Sequence, residues 1–342
     1  MTRQWIEPAY SKSRIKTAGK RIRIASHDAN DIAVLENHRA SHAYIMNTFN
    51  VALRRRVKGK DIVVAQRLER RRTIFDKLQR ESNMQLSTMH DIAGARVIFQ
   101  NIPDLLNFRS DLHRAKVDHI LRTKDDDRYN YIDYPKETGY RGIHDVYEYK
   151  VRSAQGAKWN GLLIEIQYRT KYQHAWETAV EVADLVSTNR IKFGQSDQYH
   201  KKFFQLASEI ISRVHEDRNS CLPQLSNSIL VEEFEHMDDK IGLISVFETL
   251  QMTQSVAPFR TNSILILSLE EKEDTLKVET YDSLSKAILR YETLEKELAG
   301  KADVVLVRSN TPEDIRNAFR NYYSDVNDFL KYIKDGCVNL KG

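Results

Sequence analysis

The sequence predicts an α/β (α+β) chain closed by a small α+β unit of its own, and three observations carry that expectation. Long stretches with apolar residues near a 3.6-residue period are separated by runs of strand length. Two of those runs alternate polar and apolar side chains. After about Ser255 the order changes to hairpin, helix, strand, helix.

In chain order, a basic leader precedes an amphipathic helix over Asp31–Lys58, where Ile32, Leu35, Ala40, Tyr44, Ile45, Phe49 and Leu53 fall close to one face. A β-like stretch, Asp61–Ala65, leads into a second helix over Arg67–Arg80, in which Ile74 and Leu78 stand four apart. Ala93–Phe99 is short, largely apolar and followed by Asn101 and Pro103, as a buried strand is. Leu105–Ala115 reads as helix and Val117–Leu121 as strand. Tyr140–Val151 alternates, and Leu162–Arg169 alternates strictly, with Leu162, Ile164, Ile166 and Tyr168 on one face and Glu165, Gln167 and Arg169 on the other. Helical periods cover Lys171–Leu185, Tyr199–His215 and most of Leu230–Met252. Strands are expected at Ser263–Leu269 and Thr275–Thr280 around a turn at Glu270–Asp274. A helix over Ser285–Leu298 that Gly300 stops, a strand at Ala302–Val307 and one or two helices in Pro312–Lys334 complete the chain. The expected organisation is residues 1–60 as leader and long helix, 61–220 as the main domain, and 221–342 as a helical linker with an α+β accessory domain.

At 342 residues, 41% hydrophobic and 30% charged, with 12 glycines and 6 prolines, the chain can bury a full core, and disorder, collagen-like repeats and low-complexity sequence are excluded. No apolar run reaches the roughly 18 residues of a membrane span, and the polar start lacks a signal-peptide core, so a cytoplasmic protein with no membrane contact is expected. Cys221 and Cys337 stand apart from each other and from any histidine cluster, which supports neither a disulfide nor a zinc site. The net charge of +5 is uneven: Arg54, Arg55, Arg56, Lys58 and Lys60 are followed by Arg67, Arg70, Arg71 and Arg72, an excess suited to polyphosphate or nucleic acid.

The polar face of Leu162–Arg169 lines up a carboxylate, an amide and a guanidinium, which alone would be the solvent side of an edge strand. The other face is uniformly apolar, however, and Tyr140, Gly142 and His144 share a face on a second strand by the same period. Asp91 stands at the mouth of the strand beginning near Ala93. Alone it reads as a turn residue; with Glu165 it supplies two hard oxygen ligands, and magnesium takes one or two carboxylates while water and substrate phosphates fill its other positions. Arg67, Thr73 and Lys77 beside such a pair would hold a triphosphate by charge-assisted hydrogen bonds.

Five segments, in this order, resemble the RelA/SpoT synthetase domain over roughly Ile62–Leu185: Arg67-Leu-Glu-Arg-Arg-Arg-Thr73-Ile-Phe-Asp-Lys77, Asp91-Ile-Ala-Gly-Ala-Arg96-Val, Tyr134-Pro-Lys136-Glu-Thr-Gly139-Tyr140-Arg-Gly-Ile-His144, Glu165-Ile-Gln167-Tyr-Arg169-Thr170 and Gln173-His174-Ala-Trp176. No hydrolase domain of the metal-dependent HD type is recognised ahead of them, so the chain is more similar to the small stand-alone alarmone synthetases and toxin-like members. The resemblance implies a mixed β-sheet flanked by helices, a nucleotidyltransferase-like synthetase domain. It also implies a GTP/GDP diphosphokinase, which transfers the β,γ-diphosphate of ATP to the 3′-hydroxyl of GDP or GTP to make (p)ppGpp-type alarmones, with AMP leaving. It puts Arg67, Thr73 and Lys77 on the ATP phosphates and Asp91 on a catalytic Mg2+. Glu165 becomes the second acidic residue, a metal ligand or the base for the attacking hydroxyl. Tyr140 stacks on the acceptor's base, and Lys136, His144, Gln167 and Arg169 line the same pocket.

The chain departs from the family pattern at three positions. A lysine usually follows the first arginine by two; here it is Glu69, with Arg70 to Arg72 behind it. Asn130 stands where many members carry a charged residue ahead of the tyrosine before Pro-Lys. Thr178, flanked by Glu177 and Glu181, stands where a glutamate often follows the histidine by four. Two further readings stay open: a toxin-type pyrophosphokinase that modifies the 3′ end of tRNA, and a catalytically inactive RNA-binding or scaffold member. A homo-oligomer and an antitoxin partner stay open as well.

Overall fold

The protein is described from a computed structural model over residues 5–123, 129–187, 196–252, 264–270, 276–281, 284–297, 302–308 and 325–341. Its centre is a five-stranded mixed sheet of order β1-β2-β5-β4-β3: β1 (Val63–Leu68), β2 (Ala93–Phe99), β3 (Ile120–Leu121), β4 (Ile143–Glu148) and β5 (Leu163–Thr170). β2 and β5 run parallel, and every other neighbouring pair is antiparallel. Ala95, Val97 and Phe99 of β2 and Ile164, Ile166 and Tyr168 of β5 point to one face, each at most 1% exposed. They share a cluster with Ile45, Phe49 and Leu53 of α2 (Ala29–Val57) and with Ile102, Leu105 and Phe108 of α4 (Ile102–Arg114). The strictly alternating strand is thus covered on its apolar side, which leaves the polar side to build the site.

The expected leader is helical from Lys12: α1 (Lys12–Arg23) starts on a Ser11 cap and buries Ile15, Ala18, Gly19 and Ile22. Its partners are α2 and α3 (Arg71–Arg80), through a cluster that adds Val34, Leu35, Ile74, Leu78 and Leu86. The helix expected over Arg67–Arg80 begins at Arg71, because β1 continues to Leu68 in register with β2. The alternating stretch Tyr140–Val151 forms a strand over Ile143–Glu148, and Gly139 and Gly142, with positive φ, keep Tyr140 outside it. Val117–Leu121 contributes just Ile120–Leu121 to the sheet. Leu230–Met252 is divided into α7 (Asn227–Ile241) and α8 (Leu243–Met252) by Gly242, whose φ of 64° ends the first helix.

α5 (Lys171–Ser187) follows β5 directly, and α6 (Ser196–Glu216) packs beside it. β6 (Ile264–Glu270), β7 (Leu276–Tyr281) and β8 (Ala302–Arg308) make a second, antiparallel sheet of order β7-β6-β8, with α9 (Leu284–Glu297) against it. α10 (Asp325–Lys341) packs its Val326, Phe329, Leu330 and Ile333 with Trp176, Phe203, Phe204 and Phe247, so the chain's last helix completes the helical layer under α5 and α6. The turn expected at Glu270–Asp274 and most of Pro312–Lys334 lie outside the described residues. No helix among the described residues is long and apolar enough to cross a membrane.

Candidate active site

Sheet register gathers the site. Arg67 stands opposite Gly94, Gly94 opposite Glu165, and Arg96 opposite Gln167, which in turn stands opposite His144. Because facing residues in a sheet project to the same side, Arg67, Arg96, Glu165, Gln167, Arg169 and His144 all rise from the face that the core does not use.

Glu165 is the hub of one half. Its Oε1 lies 3.1 Å from His144 Nδ1 and 3.3 Å from His90 Nε2, and its Oε2 accepts from Gln167 Nε2 at 2.6 Å. Burial works against the ionised form, but the two imidazoles outweigh it and hold the carboxyl well below the usual range. His144 Nε2 lies 2.5 Å from the Tyr140 hydroxyl, and the same hydroxyl accepts from Arg169 Nη2 at 2.8 Å. Around the Tyr140 ring stand Tyr131, with centroids 5.6 Å apart, and the Lys136 ammonium, 4.4 Å from the Tyr131 centroid and 5.1 Å from that of Tyr140. Burial lowers the Lys136 pKa and pushes Arg169 down to about 10. Gly139 makes the approach to this aromatic corner possible. Its φ is +90°, and a Cβ there would lie 2.9 Å from Ser208 Cβ and 3.2 Å from the Trp176 ring. Behind it, buried Arg141 donates to Ser212 Oγ at 2.9 Å and pairs with Glu216, which also accepts from Thr170 Oγ1 at 2.6 Å.

The other half is a charge cluster at the β1 edge. Arg67 Nη2 donates to Glu69 Oε1 at 3.0 Å, Lys77 Nζ donates to Glu69 Oε2 at 2.9 Å, and Lys77 also pairs with Asp91. Burial raises the Glu69 pKa and lowers that of Lys77, yet in both cases the neighbouring opposite charges prevail and keep the pair ionised. Asp91 Oδ1 is buried and without a hydrogen-bond partner. The two halves meet through His90, the chain neighbour of Asp91, which reaches Glu165.

Nearly every residue singled out from the sequence falls in this cluster. Thr73 is the exception: it shares a helix face with Lys77, one turn away, but makes no hydrogen bond to the cluster. The structure adds His90, Arg96, Tyr131, Glu177 and Glu181. Arg96 donates to Gln167 Oε1 at 3.2 Å and Glu181 Oε1 at 3.1 Å, and Arg169 donates to Glu177 Oε1 at 2.6 Å. The i, i+4 spacing of Glu177 and Glu181 on the helix that leaves β5 was their signal. The departures are also explained. Thr178 donates to the His174 carbonyl at 3.0 Å, leaving the acidic roles to its two flanking glutamates. Asn130 donates to Asp133 Oδ2 at 2.8 Å and closes a turn beneath Tyr131. Glu69 points into the cluster.

The helix-flanked mixed sheet is that of an α+β domain, with cations and carboxylates at one edge and an aromatic, basic corner beside them. Residues 66–185 match the model described as the region found in RelA / SpoT proteins. The GTP pyrophosphokinase YjbM of Bacillus subtilis (strain 168) is 32% identical over 147 residues, 42% of this chain and 64% of that protein. YwaC, a GTP pyrophosphokinase of the same organism, is 34% identical over 88 residues, 26% of this chain and 39% of that one. The chain therefore spans less than two thirds of the length of either relative. Among solved structures, small alarmone synthetase 1 from Bacillus subtilis bound to its product pppGpp aligns with a TM-score of 0.42 and 25% identity, covering 58% of this chain and 94% of that one.

Proposed function

We propose that the protein is a pyrophosphokinase that transfers the β,γ-diphosphate of ATP to the 3′-hydroxyl of GDP or GTP. The observation that carries this reading is the division of one polar sheet face into a cationic edge at Arg67 and Lys77 and an aromatic, basic corner at Tyr140, Lys136 and Arg169, with Asp91 and Glu165 joined between them through His90. Relatives named GTP pyrophosphokinases support it.

In this reading the acceptor oxygen forms a bond to the β-phosphorus of ATP, the bond from that phosphorus to the bridging oxygen breaks, and AMP departs. Such transfer asks the protein for alignment of two nucleotides and for neutralisation of charge. Arg67 and Lys77 hold the donor phosphates, with Thr73 on the same helix face. Tyr140 stacks on the acceptor base, Lys136 stands over that ring, and His144, Gln167 and Arg169 fix the corner. Glu165, kept ionised by its hydrogen bonds, is a metal ligand or the acceptor of the hydroxyl proton.

The donor set also suits a magnesium ion. Among the described residues no group of three or more His, Cys, Asp or Glu is arranged to hold a metal, and magnesium is commonly held by one or two carboxylates with substrate phosphates and water. The buried, unpartnered Oδ1 of Asp91 is an oxygen of the required kind. Asp91 and Glu165 would hold the ion, which would neutralise charge on the transferring phosphates.

The test is separation of labelled products after incubation with γ-labelled ATP and, in separate reactions, GDP, GTP, ATP or bulk tRNA. Label on a guanosine product is expected. Label on tRNA alone, or on nothing, would overturn the proposal.

A further inference from the structure

We propose that Glu69 is a counter-anion built into the donor site: its carboxylate holds the Arg67 guanidinium and the Lys77 ammonium where the phosphates of a nucleoside triphosphate must sit, so that donor binding displaces it and Glu69 sets the donor affinity. This rests on the reading of Arg67 and Lys77 as donor-phosphate ligands.

Geometry supports the inference first. Both carboxylate oxygens are used, one on each cation, at 3.0 and 2.9 Å, and Oε1 also accepts from the Arg70 N–H at 3.2 Å. The residue is 4% exposed, so water contributes little to screening its charge. Its main chain is held from two sides: the Glu69 N–H donates to the Ile92 carbonyl at 2.8 Å, and the Glu69 carbonyl accepts from Arg39 Nε at 2.6 Å. The carboxylate cannot be withdrawn by a loop movement and leaves its position by side-chain rotation alone.

Competition follows from charge. Phosphate oxygens and a carboxylate seek the same N–H donors, and like charges forced together at a binding surface repel. An incoming triphosphate must either expel Glu69 from the cations or bind beside it, and both routes weaken the complex. The cations do not depend on Glu69 alone for orientation. Lys77 also pairs with Asp91, and Arg67 Nη1 lies 3.6 Å from Glu181 Oε1. Removing the charge at position 69 therefore frees donors that remain in place.

The experiment is calorimetric titration of the full chain with α,β-methylene-ATP and magnesium, and separately with GDP, for the wild type, Glu69→Gln and Glu69→Lys. Glu69→Gln should bind the ATP analogue about tenfold more tightly, Glu69→Lys at least as tightly as Glu69→Gln, and GDP affinity should not follow. If one variant does not fold, the other is read in the same way. Unchanged or weaker binding of the analogue by a folded variant, or an equal change in GDP affinity, overturns the inference and leaves the donor reading intact. A wild type and variants that all ignore the analogue overturn the donor reading, and this inference with it.

Discussion

Arg169 donates to the hydroxyl of Tyr140 at 2.8 Å while its guanidinium carbon stands 5.3 Å from the centroid of the same ring. One side chain thus fixes both the tilt of the ring and the place of its polar end. Tyr140→Ala should weaken GDP binding by about 1–3 kcal/mol, the range for a base stacked on an aromatic ring, and leave ATP binding unchanged. Tyr140→Phe keeps the stacking surface and loses the hydroxyl, and should cost about 1 kcal/mol. Titration with each nucleotide separates the two; equal losses for ATP and GDP would place Tyr140 outside an acceptor pocket.

Asp91→Asn and Glu165→Gln should each reduce diphosphate transfer at least about a hundredfold, the scale of losing a key electrostatic or acid-base group. The melting temperature of Asp91→Asn should stay near that of the wild type, whereas Glu165→Gln, which removes a buried charge held by His144 and His90, should lower it as well. Turnover close to wild type in either variant would remove that residue from the proposed roles.

On the opposite side of the sheet, Asp145 is fully buried and accepts from Arg109 Nε at 3.1 Å and from Arg109 Nη2 at 2.8 Å, with His113 Nε2 at 2.6 Å. Burial raises its pKa, but His113 and Arg109 outweigh it and the carboxyl lies below its usual 3.8. A depressed folded-state pKa contributes stability that is present above 3.8 and is lost as pH falls through the folded value. Asp145→Asn should cost about 3 kcal/mol at neutral pH, and the gap to wild type should narrow in acid. Urea unfolding at a series of pH values measures it, and a gap independent of pH would contradict the assignment.

Gly139→Ala should destabilise the fold by about 1–3 kcal/mol, because the alanine would inherit a left-handed backbone in a crowded position. Since Tyr140 is its chain neighbour, GDP binding should weaken as well. A thermal melt together with a GDP titration checks both effects.

The parts of this molecule that sequence alone discloses are those where one period dominates. Strand β5 is one: Ile164, Ile166 and Tyr168 alternate with Glu165, Gln167 and Arg169, and nothing in the neighbourhood contradicts them. Helix α1 stayed hidden because Ile15, Ala18, Gly19 and Ile22 are set among basic residues, and Gly19 reads as a breaker. That glycine is there for space, since a Cβ would come within 2.7 Å of Leu86 Cβ. Motif spacing marked residues that the structure brings together but not how they pair. Whether Glu69 turned toward Lys77 depended on main-chain hydrogen bonds to Ile92 and Arg39, the second 30 residues away, and such contacts have no local period.

Arg39 has a further partner: its Nη2 donates to the hydroxyl of Tyr291 on α9 at 3.0 Å, across 252 positions of sequence. The same guanidinium therefore touches the end of the β1 segment and helix α9, which packs on the smaller sheet. The main chain that carries Glu69, and through it the pairing of Arg67 and Lys77, is thereby tied to a helix of the smaller sheet as well as to the central sheet.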